Sequence, residues 1–187
     1  MHKHRLGRIS VAAVLAAGAV PAAATAADAA GTSSQAAAVV CKKVDGKEHP
    51  YTFRTPGGPG AFVYLNVSGG SHKGAKVITY PWSGGRGNET WCLEQGRDGY
   101  GWYFHPWDKR SLCLDVPGGR YKKGQGLVVW DCNKRKNQLF DTTIVHTDNP
   151  YTLITPWYSN LKVHRGRNAV GSQVSLWPHI NTHAEWR

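Results

Sequence analysis

The chain has 187 residues and a formal net charge of +11, from 23 Lys and Arg against 12 Asp and Glu. That length suits one domain, and beyond the N-terminus no stretch is apolar enough to cross a bilayer, so no membrane span is expected. A basic surface favours anionic partners. Yet the charges are scattered through loops, as Lys122-Lys123, Lys134-Arg135-Lys136, and Arg165 with Arg167. This is the pattern of a solubilising surface, and nucleic acid is not an expected partner.

The N-terminus stands apart from the rest. Lys3, Arg5 and Arg8 make a basic start, Ile9 to Val20 is an apolar run, and Ala24-Thr25-Ala26 supplies small residues before a cleavage point. Residues 1–26 read as a secretory signal peptide, since an apolar run of about 12 residues falls short of the roughly 20 that span a bilayer. Residues 27–40 follow as a small-residue leader without predicted structure. Removing the signal takes three positive charges with it and leaves about +8. Export places the protein outside the cell, where cysteines pair. There are four: Cys41, Cys92, Cys113 and Cys132. Of the three possible pairings, Cys113 with Cys132 is expected because they flank the two strands of one unit, which leaves Cys41 to join Cys92. A zinc site is not expected, because no close Cys pair of the kind such sites use is present.

From Tyr51 onward the chain passes three times through one phrase. The first pass opens on YTFRTP, continues with an alternating strand from Phe62 to Val67, then a Gly-led loop into Val77 to Tyr80, and closes on NETW. The second runs WYFHPW, Leu112 to Val116, Leu127 to Trp130 and NQLF; the third runs YTLITPW, Leu161 to Val163, Val174 to Trp177 and HAEW. Anchors keep step at Leu65, Leu114 and Leu161, at Tyr80, Trp130 and Trp177, and at Trp91, Phe140 and Trp186. A repeat near 47 residues marks one supersecondary unit that cannot bury its apolar face alone. Alternation with Gly and Pro punctuation predicts about four strands per unit. No helical period appears past the signal. The expected fold is therefore all-β, with some twelve strands in three units and pseudo-threefold symmetry, closed so that few edges remain exposed.

The middle unit carries a more specific signature. CLDV, followed by GLVVWDC and NQLF, resembles the ricin B-type β-trefoil lectin repeat, marked by a Cys-x-Asp strand, an aromatic-then-Cys strand and a Gln-x-Trp closing motif. The resemblance covers about residues 49–187 and implies a β-trefoil lectin domain over 41–187. The 19-residue separation of Cys113 and Cys132 also matches the disulfide inside such repeats. It further implies that Asp115 accepts hydrogen bonds from two neighbouring sugar hydroxyls, Trp130 stacks on the ring, Asn137 bonds a hydroxyl and Gln138 holds Asp115. The residue types suit this chemistry. A carboxylate offers two acceptor oxygens, an amide both donor and acceptor, and a flat aromatic supplies contact area at little entropic cost. Val128 departs from the family, which often has a polar residue there.

The outer units keep the framework and change the polar set. Asn66, Tyr80, Asn88 and Glu89 make an altered second set, a possible second site. In the third unit Lys162 stands where the acid is expected and Ala184 where Gln is expected, and a cation cannot accept from a hydroxyl. His179 and His183 are four apart, but on strand and loop rather than one helical face, so no metal is expected there. No phosphate loop, HExxH, nucleophile elbow or carboxylate pair is evident, so neither catalysis nor a cofactor is expected. The sequence points to an exported carbohydrate-binding protein acting mainly through its middle unit. Its rivals are a scaffold with decayed sites, used for protein interaction or inhibition, and a basic binder of anionic polymers.

Overall fold

The computed structural model describes residues 39–167 and 169–187. The expected signal peptide, and the leader up to residue 38, lie outside the described residues. Thirteen strands are found among the described residues. A short hairpin of β1 (Lys43–Val44) and β2 (Lys47–Glu48) precedes the three units. The first unit holds β3 (Arg54–Gly58), β4 (Ala61–Val67), β5 (Val77–Tyr80) and β6 (Trp91–Gln95); the second holds β7 (Trp102–Pro106), β8 (Leu112–Asp115), β9 (Val128–Asp131) and β10 (Phe140–Val145). The third holds β11 (Tyr151–Pro156), β12 (Lys162–His164) and β13 (Ser175–Trp177), and its fourth strand shrinks to a bridge between Thr152 and Trp186. Three single 3-10 turns are the only helical segments among the described residues.

Two sets of backbone pairs relate the units. Around the outside, Tyr51 bridges Trp91, β6 pairs β7, Phe140 of β10 meets Trp102 of β7, β10 pairs β11, and Thr152 bridges Trp186. Arg54 and Arg187 then exchange backbone hydrogen bonds of 2.8 and 2.7 Å, returning the chain to its first unit. The ladders nonetheless form five separate sheets joined by these single contacts, not one continuous sheet. The opening strands β7 and β11 end on a proline, Pro106 or Pro156, which has no N–H to carry a ladder further, whereas in β3 the register shifts after Pro56 before Gly58 meets Ala61.

At the other end, Val77 donates to Leu127, Leu127 to Val174 and Val174 back to Val77, at 3.0, 2.9 and 2.8 Å. This ring of three equivalent amides marks the pseudo-threefold axis. Each of its segments begins at a glycine held at positive φ, Gly74 (82°), Gly124 (79°) and Gly171 (74°), where a side chain would be strained. That requirement explains why the Gly-led loop recurs in all three units. The structure thus has the pseudo-threefold arrangement expected from the repeat, in the β-trefoil form that the resemblance implied.

The core lies between these two rings. Leu65, Leu114, Val77, Leu127, Val174, Trp91, Phe140 and Trp186 are fully buried. Trp91 Nε1 donates to the Leu65 carbonyl at 3.0 Å and Trp186 Nε1 to the Val163 carbonyl at 2.9 Å, so each indole satisfies its one polar atom inside apolar surroundings. These bonds correct the register of the third unit. Val163, not Leu161, is the counterpart of Leu65 and Leu114; Val163 is fully buried while Leu161 is only partly so. Because side chains alternate with period two, a slip of two residues leaves the apolar pattern unchanged. Both expected disulfides are formed, Cys41 with Cys92 and Cys113 with Cys132, with Cα atoms 5.2 and 4.8 Å apart.

Candidate functional site

In the middle unit, β8 and β9 pair Asp115 with Val128 and Cys113 with Trp130. Alternation sends Leu114 and Val129 into the core and leaves Asp115, Val128 and Trp130 on the other face. A single 3-10 turn, Lys136–Gln138, then brings two amides onto the Asp115 carboxylate. Asn137 Nδ2 and Gln138 Nε2 both donate to Oδ2, each at 2.8 Å. No protein donor among the described residues reaches Oδ1. Gln138 is fully buried and completes its bonding with the backbone: Nε2 also donates to the Asp131 carbonyl at 3.0 Å, while Oε1 accepts from the Asn133 and Lys134 amides at 2.8 and 3.1 Å. It is a clamp that fixes both the acid and the loop beside it.

The resulting cleft, about 280 Å³, is lined by Asp115, Val128, Trp130, Asn133 and Asn137, with Gly74 of the first unit at its edge. Asp115 is only 3% exposed, whereas Trp130 is 43% exposed. Lys73 lies over the Trp130 ring, 4.7 Å from its centroid, and is ion-paired with Asp131. Burial raises the Asp115 carboxyl above its ordinary value, and the Gln138 and Asn137 bonds partly oppose this. A desolvated carboxylate with one oxygen held and the other free is built to accept hydrogen bonds from a ligand.

The first unit brings Asn66, Asn88 and Glu89 together as well, but with the charge moved. Asn66, the counterpart of Asp115, accepts from Asn88 Nδ2 at 3.0 Å and directs its own Nδ2 toward Glu89 Oε2 at 3.5 Å. Glu89, the counterpart of Gln138, is fully buried and accepts from the backbone amides of Ser83, Gly85 and Arg86 and from the Ser83 hydroxyl. Both ends of the Asn66 amide are therefore engaged within the protein. Tyr80, 46% exposed, pairs with Tyr64 as Trp130 pairs with Cys113, and is the counterpart of Trp130.

In the third unit Lys162 does not occupy the acid's position. Val67 donates to the Asn88 carbonyl, Val116 to Asn137 and Arg165 to His183, and His164 pairs with Ser175 as Asp115 pairs with Val128. His164 is thus the counterpart of Asp115. It is 4% exposed, and its Nε2 donates to the His179 carbonyl at 2.7 Å. Ala184 does stand in the place of Gln138 and is buried. A cleft of about 450 Å³ opens here, lined by His164, Arg165, Arg167, Trp177, His179 and His183. Sequence reasoning missed His164 and Arg165. The signal that could have found them was the pairing of buried Val163 with Trp186, which alternation alone does not reveal.

Among the described residues, the one grouping with metal-ligand spacing is His105 with Cys113 and Cys132. Those sulfurs are joined to each other, so they offer no thiolate to an ion. No described helix is long and apolar enough to cross a membrane.

No protein-family model matches the chain, and no curated protein matches it in sequence. Solved structures do resemble it. A designed threefold symmetric protein, ThreeFoil, superposes with a TM-score of 0.61 at 21% identity, over 73% of this chain and 96% of that one. A ricin B-like lectin from Macrolepiota procera, solved in complex with lactose, gives 0.56 at 21%, over 78% and 96%. A Polyporus squamosus lectin, bound to a human-type influenza-binding epitope, gives 0.60 at 16%, and the match covers 75% of this chain and about half (48%) of that one. At these identities the likeness establishes the fold, the β-trefoil shared with ricin B-like lectins.

Proposed function

We propose that the protein is an exported lectin that binds carbohydrate through the cleft of its middle unit. The observation that carries this reading is the Asp115 carboxylate, 3% exposed, bonded through Oδ2 to two amides and lining a cleft beside the exposed Trp130. Burying a carboxylate without a compensating cation costs several kcal/mol, and no Lys or Arg bonds to this one among the described residues. Such a penalty is intelligible where a ligand's hydroxyls complete the bonding. Asp115 accepts adjacent hydroxyls, Trp130 packs against the apolar face of the ring, Asn137 bonds a further hydroxyl, and Gln138 holds the acid in place. The two disulfides support an extracellular setting.

The first unit's polar set favours a single strong site, because its amides and carboxylate are already paired with one another and with the backbone. One shallow site of this size binds with a dissociation constant on the order of 0.1 to 10 mM, or about -3 to -5 kcal/mol. Polymeric glycan or several copies would then supply avidity. Glycan-array and polysaccharide pull-down measurements with the wild type and Asp115→Ala test the assignment. Hydrogen bonds to a charged group contribute about 1.5 to 3 kcal/mol, so the variant should lose at least ~10-fold in affinity. Retention that Asp115→Ala leaves unchanged would remove the site from the middle unit.

A further inference from the structure

The third unit's cleft has a composition unlike the middle one. Its lining includes two guanidinium groups, Arg165 and Arg167, and three imidazoles, His164, His179 and His183, without a single Asp or Glu among the described residues. Arg165 is half-buried. Its Nη1 donates to the Gly166 carbonyl at 3.2 Å, but its Nε is buried and has no hydrogen-bond partner among the described residues. Leaving a charged donor buried and unpaired is costly. Burial holds the Arg165 guanidinium below its ordinary value, as befits a cation with no anion beside it among the described residues. On the same face stands Trp177, the counterpart of Trp130, with Lys123 of the middle unit 4.8 Å from its ring centroid.

We propose that this cleft recognises an anionic sugar, with a carboxylate or sulfate docked on Arg165 and Arg167 and the ring packed beside Trp177. Guanidinium presents a planar fork of donors that matches both oxyanions. His164 adds a second reason: its Nε2 hydrogen is committed to the His179 carbonyl, and where Asp115 offers an acceptor this position offers none that is negatively charged. Neutral-sugar chemistry is thereby replaced by cation chemistry on the same scaffold. The sugar half of this inference rests on the carbohydrate reading of the middle unit; the anion half does not.

Binding of the purified, disulfide-bonded protein to dextran sulfate and to polygalacturonate, with neutral dextran as control, is measured at about 0.15 M salt, where weak long-range attraction is screened. The comparison is between Arg165→Gln/Arg167→Gln and Lys43→Gln/Lys47→Gln, which removes the same formal charge from exposed residues of the β1–β2 hairpin. The cleft variant should weaken binding to at least one anionic polymer by ~10-fold or more, about 1.4 kcal/mol, and the hairpin variant by less than about twofold. Equal losses in both would assign binding to net charge and overturn the proposal, as would no loss in either. Because Arg165 is half-buried, Arg167→Glu, at an exposed position, tests the same docking without disturbing the interior: it should weaken anionic binding as the cleft variant does, and unchanged binding would count against the proposal. Asp115→Ala should leave anionic binding intact, which separates failure here from failure of the middle site. If inorganic sulfate competes as well as the sulfated sugar, mole for mole, the sugar half is withdrawn.

Discussion

Gln138→Glu would place a second carboxylate where an amide now donates to Asp115 Oδ2 at 2.8 Å. If both groups stayed ionised at that separation, their repulsion would be ~6 kcal/mol at an effective dielectric of about 20. Taking up one proton is cheaper. Holding a carboxyl of ordinary value about 4.3 protonated at pH 7 costs ~4 kcal/mol, at about 1.4 kcal/mol per pH unit. The variant should therefore be destabilised by ~4 kcal/mol at pH 7 and by only about 1 kcal/mol near pH 5. The first unit indicates the remedy, since its buried Glu89 sits opposite neutral Asn66. The double variant Asp115→Asn/Gln138→Glu copies that pair and should return to within about 1 kcal/mol of wild type, a hydrogen bond's worth, though with the sugar site abolished. Urea unfolding followed by Trp fluorescence at both pH values gives the three free energies. If the single variant's cost is the same at pH 5 as at pH 7, or the double variant is no more stable than the single, then opposing carboxylates are not what couples these positions.

The two clefts should respond oppositely to acid. Burial raises the Asp115 carboxyl, so neutral-sugar binding should fall away, as pH drops, before an ordinary aspartate near 3.8 would titrate. Burial lowers the His164 and His183 imidazoles, assisted by neighbouring His183 and His179 at His164 and by Arg165 at His183, and opposed at His164 by its bond to the His179 carbonyl. They stay neutral until the pH falls below about 6.5, then add positive charge beside Arg165, Arg167 and His179. Dextran sulfate, whose charge does not change in this range, should then bind about two- to fivefold tighter per imidazolium, from an ion pair of about 0.5 to 1 kcal/mol; flat titrations would count against both assignments. In the core, Trp186→Phe should cost about 1 kcal/mol by chemical denaturation, because it removes the Nε1 bond to the Val163 carbonyl at a position where the middle unit already accepts Phe140. A loss above about 3 kcal/mol, as for truncating a large core side chain, would mean that the phenyl ring does not fill the third unit as it fills the second.

The architecture was legible in the chain because two of its three markers, the aromatic positions Tyr80, Trp130 and Trp177 and the closing Trp91, Phe140 and Trp186, recur in register, and glycine must return wherever the turn demands positive φ, at Gly74, Gly124 and Gly171. The strand alternation at Val77, Leu127 and Val174, and the placing of Trp130 opposite Val129, are equally local and equally readable. Three-dimensional packing decided what alternation leaves degenerate. Moving the third unit's register by two residues keeps an apolar residue at the leucine anchor yet exchanges Lys162 for His164 as the counterpart of Asp115, and only the Trp186 bond and the pairing with Ser175 resolve it. The polar bonding of each cleft was hidden for a related reason. Asn66 with Glu89 and Asp115 with Gln138 look like interchangeable pairs in sequence, but which oxygen is held and which amide is already committed depends on loops arriving from Ser83 to Arg86 and from Asn133 to Lys134. A repeat encodes its own strands; the chemistry at its edge is set by whatever the rest of the chain packs there.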